Sequence, residues 1–208
     1  MTKFTNFLGA LIGGLGLVAM SLVIVGTGAV AAPSQEDSLI VYDAQGKLKQ
    51  PDPRVFRKWV FLGAPTTPNG LNSGKANFPE FHHVYVEQKN LDAYLKTGTF
   101  PEGTMLVKEL TRVLNPTFPD GSRKEPSGRG FFNGEFNGID LSIKDSKRYS
   151  KTNGWGYFTF GHHPLPYDQW AAEASPTECA SCHQTYVADT DMTWVQFYPI
   201  LNKKNPGK

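Results

Sequence analysis

Apolar residues recur at every second position in several short runs of this chain, a period that belongs to half-buried strands rather than to helices. On this ground Ser38–Asp43, Phe81–Val86, Met105–Val113, Phe131–Lys144 and Trp155–Phe160 are predicted to be strands. In the second, Phe81, His83 and Tyr85 share one side while His82, Val84 and Val86 share the other. In the third, Leu106, Lys108 and Leu110 fall on one face and Met105, Val107 and Glu109 on the opposite one, so both faces are apolar enough to be covered. A lysine there either emerges at an edge or points its amine at something that needs it, and for an arbitrary strand the solvent reading is the commoner. In the fourth, Phe132, Phe136 and Asp140 share parity, which adds a carboxylate to an aromatic face; a plain edge or turn carboxylate is the alternative.

Helical spacing is confined to short stretches. Asn90 is placed to cap a helix with Leu91, Tyr94 and Leu95 as its stripe and Gly98 as its left-handed end. Arg54–Leu62 sets Val55, Trp59 and Leu62 at helical spacing, although Trp59-Val60-Phe61-Leu62 equally continues as a strand. Near the end, Trp194, Phe197, Tyr198 and Leu201 predict a closing helix. Between the third and fourth strands, Asn115–Gly130 is a loop rich in Pro, Gly, Ser and charge, longer than most connections, and either a lid or an ordinary surface excursion.

The first residues change the picture of where the protein works. Lys3 makes a short basic start, Phe7–Val25 is apolar without a charge, and Ala29-Val30-Ala31 supplies a small-x-small cleavage pattern. Residues 1–31 are therefore expected to be a signal peptide and residues 32–208 a single exported, periplasmic domain, with an uncleaved anchor as the alternative. Loss of Lys3 takes the formal charge of the whole chain from +2 to +1. Basic residues are scattered, and the one cluster, Lys203, Lys204 and Lys208, reads as a solvated tail, so nucleic acid is not an expected partner.

Chemistry enters with the only two cysteines, which stand in Cys179-Ala180-Ser181-Cys182-His183, 25 residues from the C-terminus. Two thiols three positions apart can add to the two vinyl groups of one haem while the adjacent imidazole holds its iron. A disulfide or half of a zinc site is the other reading, but no second cysteine pair exists. Met192 and Met105 are conceivable sixth ligands, yet both read more readily as core fillers, so the iron is expected to keep an open position. The pairs His82-His83 and His162-His163 do not make a metal site on a strand, where neighbours point to opposite faces; they read as structural or surface residues.

Four stretches taken together resemble the cytochrome P-460 family: Gly103-Thr104-Met105-Leu106-Val107-Lys108-Glu109-Leu110, Ile143-Lys144-Asp145-Ser146-Lys147-Arg148, Cys179-Ala180-Ser181-Cys182-His183 and Phe197-Tyr198-Pro199. The resemblance runs from about Arg54 to Leu201 and implies an α+β fold, predominantly antiparallel β-sheet with a few packed helices, in a homodimer. It implies one five-coordinate haem c per subunit, bound by Cys179 and Cys182 with His183 on the iron. It further implies that Lys108 is joined through its side-chain nitrogen to a porphyrin meso carbon, which removes the difficulty of a lysine beside Leu106 and Leu110. The implied activity is hydroxylamine oxidation, to nitrous oxide or, with oxygen, nitrite, with electrons passing to a soluble cytochrome. Asp140 stands where the family usually carries a glutamate as its distal proton acceptor, one methylene shorter. Phe132 and Phe136 are then either walls of the distal pocket or core packing. The related cytochrome c prime beta proteins lack the cross-link and bind nitric oxide or carbon monoxide without turnover; Lys108 together with an acid favours the enzyme.

Overall fold

The computed structural model describes residues 39–202, so the expected signal peptide and the lysine-rich tail lie outside the described residues. The chain runs β1 (Leu48–Lys49), α1 (Pro53–Phe56), β2 (Val60–Gly63), β3 (Phe81–Val86), α2 (Gln88–Thr97), β4 (Met105–Val113), β5 (Arg123–Glu125), β6 (Gly128–Gly130), β7 (Asn133–Lys144), β8 (Trp155–Thr159), β9 (Trp170–Ala171) and α3 (Ala180–Val187), joined by loops and 3₁₀ turns. Strands β2, β3, β4, β7 and β8 form one sheet in that order, antiparallel throughout. The α+β class, mostly antiparallel with few helices, is the expected one.

Alternation along these strands builds two cores, one on each face of the sheet. Met105, Val107, Ile139, Leu141, Ile143 and Phe158 pack on one side against Leu48, Phe56, Tyr149 and Tyr167. On the other, Val84, Val86, Leu106, Trp155 and Tyr157 pack against Leu91 and Tyr94 of α2, Ala180 of α3 and Met192, Tyr198 and Leu201 of the C-terminal segment. Each such side chain removed from water contributes about 1.5–3 kcal/mol, so the sheet is held from both sides. Its second face is also the one that Lys108 and the cysteine helix share.

Several local expectations are redrawn by the structure. Ser38–Asp43 is no strand among the described residues: only Tyr42 bridges to Leu48, because the Asp43 carboxylate accepts from the Gln45 and Lys47 amides and turns the chain. The ambiguous Arg54–Leu62 stretch contains both alternatives, one helical turn capped by Asp52 followed by β2. Helix α2 begins with Glu87 as its N-cap rather than Asn90, which is buried in the first turn and donates to the Glu87 carboxylate at 2.9 Å. Its end is as expected, with Gly98 at φ 82°. Part of Asn115–Gly130 is a short hairpin, β5 against β6, whose three-residue strands are too brief to show a period. The closing helix is instead two 3₁₀ turns, since Pro199 cannot sit inside an α-helix.

Two register shifts in the β4–β7 pair matter most for the site. Leu110 pairs with Gly138 but Thr111 pairs with Phe136, so Asn137 is an extra residue and the parity of β7 flips there. Phe136 therefore lies on the Glu109 side, under the Arg57 guanidinium at 4.4 Å from its ring centre, not beside Asp140. The second shift, before Val113, returns Phe132 to the Lys108 side, but eight positions from Asp140, about 20 Å along a bulged strand at the usual rise. Neither phenylalanine walls the space next to Asp140.

Candidate haem site

Helix α3 carries the cysteine motif on its first turn, which puts Cys179 and Cys182 on one face and His183 beside them. Both thiols are free, Cys179 half-buried and Cys182 exposed. His183 is held with care. Its Nδ1 donates to the Met192 carbonyl at 2.6 Å, which leaves Nε2 as the available lone pair. The Tyr157 ring lies 4.8 Å from the imidazole and Trp194 meets it edge-on at 5.9 Å. Burial lowers the His183 pKa, against the opposing effect of the Met192 carbonyl, and so favours the neutral ring that a metal requires.

The acceptor for His183 is itself braced. Asp191 and Met192 both have left-handed backbone, φ 54° and 61°, which their surroundings must enforce. The Asp191 carboxylate does so by accepting from Lys144 Nζ at 2.5 Å, Trp155 Nε1 at 3.0 Å and the Phe100 amide at 2.7 Å. Met192 is thus part of the His183 side, and Met105 belongs to the core across the sheet; neither methionine is placed to ligate from the opposite side.

Facing this helix is a cross-strand pair. Register sets Lys108 of β4 directly opposite Asp140 of β7, close enough for side-chain contact, and Lys108 Nζ lies 2.8 Å from Asp140 Oδ2. The other carboxylate oxygen meets His162 Nε2 at 3.1 Å. Phe78 covers the amine, its ring centre 5.0 Å from Nζ. Burial opposes ionisation of Asp140, but the Lys108 ammonium, with help from His162, outweighs it and holds the carboxyl well below the usual carboxylate range. His82, on the same face, is pushed down as well, to about 4, by burial and then by Lys108, which for an imidazole favours the neutral ring.

Position His162 follows from two glycines. A Cβ on Gly138, at φ 151°, would lie 2.4 Å from the Gly161 carbonyl oxygen, so the corner after β8 can close onto β7 only because that side chain is missing. The residue after Gly161 then comes to rest over Asp140.

Two observations test whether these residues suit a haem. Cys179 and Ala180 pack with Leu106 and Tyr157 on one face of the sheet, the face that Lys108 and its partner Asp140 share by register, so the motif and the cross-strand pair lie on the same side. Among the described residues three buried side-chain atoms have no hydrogen-bond partner; the Tyr167 hydroxyl belongs to the opposite core, but the Tyr157 hydroxyl and His82 Nε2 are both on this face, which is costly unless something else occupies that space. Paired thiols, a single oriented imidazole and an enclosed polar surface opposite fit an iron porphyrin. They do not fit a zinc site, and no group of three or more His, Cys, Asp or Glu among the described residues is arranged to hold a metal ion.

A two-sided antiparallel sheet that sets a lysine–carboxylate pair against a Cys-x-x-Cys-His helix defines a haem protein. The sequence profile of the Cytochrome P460 family matches residues 53–195, and the chain belongs to that family. Among curated proteins none matches it. Of the residues expected to act, the structure brings Lys108, Asp140, Cys179, Cys182 and His183 to one region and leaves Phe132 and Phe136 outside it. Sequence reasoning missed His162, read as structural or surface, and Phe78 and Asp191. His82 was legible in part, since its parity with Val84 already set it on the Lys108 face.

Proposed function

We propose that this chain is an exported haem c protein that oxidises hydroxylamine, and the observation that carries this reading is the Lys108–Asp140 pair on the sheet face that the Cys179–His183 helix covers. Cys179 and Cys182 would hold the haem by thioether bonds, and His183 Nε2 would bind its iron, oriented by the Met192 carbonyl. Bound there, a haem would supply an electron-accepting iron. Conversion of two hydroxylamines to nitrous oxide and water releases four protons and four electrons. Asp140 is the base within reach of the proton side of that balance. A soluble one-electron carrier, a cytochrome, takes the electrons, in the periplasm and from a homodimer.

Lys108 decides how good a base Asp140 is. As an ammonium at 2.8 Å it holds the carboxylate low and makes it a weak proton acceptor. Were its nitrogen joined to the porphyrin, that fixed cation would be gone and the carboxylate would recover basicity. The same observation gives the second reading its support: with Lys108 uncoupled, Asp140 stays locked, and the protein binds nitric oxide or carbon monoxide without turnover. Proteolysis of the purified holoprotein and mass spectrometry of the haem peptide separate the two. The first reading expects the Lys108 peptide attached to the haem together with anaerobic hydroxylamine turnover to nitrous oxide under a one-electron oxidant; a free Lys108 peptide and no turnover refute it.

A further inference from the structure

A base that takes protons inside an enclosed site must be emptied before the next turnover. The Asp140 side chain is only 18 % exposed, and its two oxygens have separate partners: Oδ2 turns to Lys108, and Oδ1 turns to His162 at 3.1 Å. The His162 side chain is 40 % exposed, so the imidazole reaches from the carboxylate to water. Resting on the proposed oxidation of hydroxylamine, we propose that His162 is the relay that carries each proton from Asp140 out to solvent.

The proton balance is simple, and no electrons move in it. A proton on Asp140 Oδ1 passes to His162 Nε2, which regenerates the carboxylate and leaves an imidazolium. The imidazolium gives its Nδ1 proton to water, and exchange at the ring nitrogens resets it. The ion pair formed in between favours the first transfer, consistent with the raised pKa that the Asp140 hydrogen bond gives His162 against the effect of burial. The charged and titratable groups bearing on His162 are Asp140 from β7, Lys108 from β4, and Glu80 and His82 from β3 and the segment before it. Neighbouring His163 is engaged elsewhere, its Nδ1 donating to the Pro164 carbonyl at 2.8 Å, and offers no second route.

His162 acts through Asp140, so it is a positioning and relay residue, and the test must separate relay from support. His162→Gln keeps a donor for Asp140 Oδ1 but cannot pass a proton. In dilute buffer at pH 7 the holoprotein variant is expected to turn over hydroxylamine about a hundredfold more slowly, the low end for proton-transfer groups. Its KM and haem spectrum should stay unchanged, the rise of rate with pH through the His162 titration should vanish, and a raised concentration of a bulky buffer base that does not bind iron should restore the rate. Independently of turnover, ¹⁵N-histidine NMR of the ferrous carbon monoxide complex should show the His162 midpoint falling in Asp140→Asn. A wild-type rate and pH profile in His162→Gln, or a midpoint indifferent to Asp140→Asn, overturns the relay alone. No hydroxylamine turnover by the wild type overturns the function, and the relay with it.

Discussion

Asp191→Asn tests the claim that the proximal ligand is held by a buried charge network rather than by its own helix. The Asp191 and Lys144 side chains are 9 % and 8 % exposed, and the carboxylate takes three donors from three separate segments. Removing one partner of a buried pair costs about 3–5 kcal/mol, because the remaining charge is left without compensation. Asparagine keeps one oxygen acceptor for Trp155 or Phe100, so the lower end, about 3 kcal/mol, is expected. At roughly 2–4 °C per kcal/mol for a domain of this size, thermal unfolding of the holoprotein should fall by about 6–12 °C. The Asp191–Met192 backbone holds its left-handed conformation through this network, so the Met192 carbonyl should also shift under His183. The iron–histidine stretching band of the ferrous protein reports that directly. Lys144→Met should show strong non-additivity with Asp191→Asn, since the double variant leaves no orphan charge. A melting midpoint within 2 °C of wild type and an unmoved stretching band would refute the brace.

Gly138→Ala forces a methyl group to within 2.4 Å of the Gly161 carbonyl oxygen, so it should cost about 1–3 kcal/mol in urea unfolding and uncouple His162 titration from Asp140; full stability with coupling intact contradicts the close approach. Across the sheet, Glu109 is buried and bound by Arg57 at 2.6 and 3.0 Å, and Arg57 itself is 38 % exposed. Arg57→Ala, which strands the carboxylate, should therefore destabilise by about 3 kcal/mol and exceed Glu109→Gln, measured by the same unfolding; equal losses refute the asymmetry. His162 has a folded pKa above its unfolded one, so its contribution is fully present below the ordinary imidazole value and is lost as pH rises through the folded one. Because the ring is well exposed, the difference between pH 5.5 and 8.5 should be only a few tenths to about 1 kcal/mol, and it should disappear in Asp140→Asn.

Strands β3, β4 and β8 were legible because a period of two persists through five or more residues and both faces are apolar. The same rule failed at Phe136 for a definite reason: Asn137 is held by Arg112 and Glu80 through its amide, and one extra residue reverses every side chain beyond it. No local pattern distinguishes such a bulge from a regular strand. His162 escaped because its role depends on Gly138 and Gly161 meeting across strands, a contact between positions more than twenty residues apart. The cysteine motif and His183, by contrast, are local chemistry on one helical turn, and the sequence alone displays them.

The sheet thus sorts one cross-strand pair into two proton states. With Lys108 charged, Asp140 has an ammonium on one oxygen and an imidazole on the other and is held well below the usual carboxylate range. Joining the Lys108 nitrogen to a porphyrin carbon, as proposed, withdraws the nearer cation and leaves only His162, whose charge depends on pH where that of an ammonium hardly does. The bond from Lys108 to the porphyrin would then switch on the base, and it would hand control of that base to the neighbour that reaches water. Aspartate, where the resemblance to the family implies a glutamate, fits this arrangement. Its shorter side chain stays within 2.8 Å of Nζ and 3.1 Å of the imidazole at once, spanning the relay at some loss of reach toward the substrate.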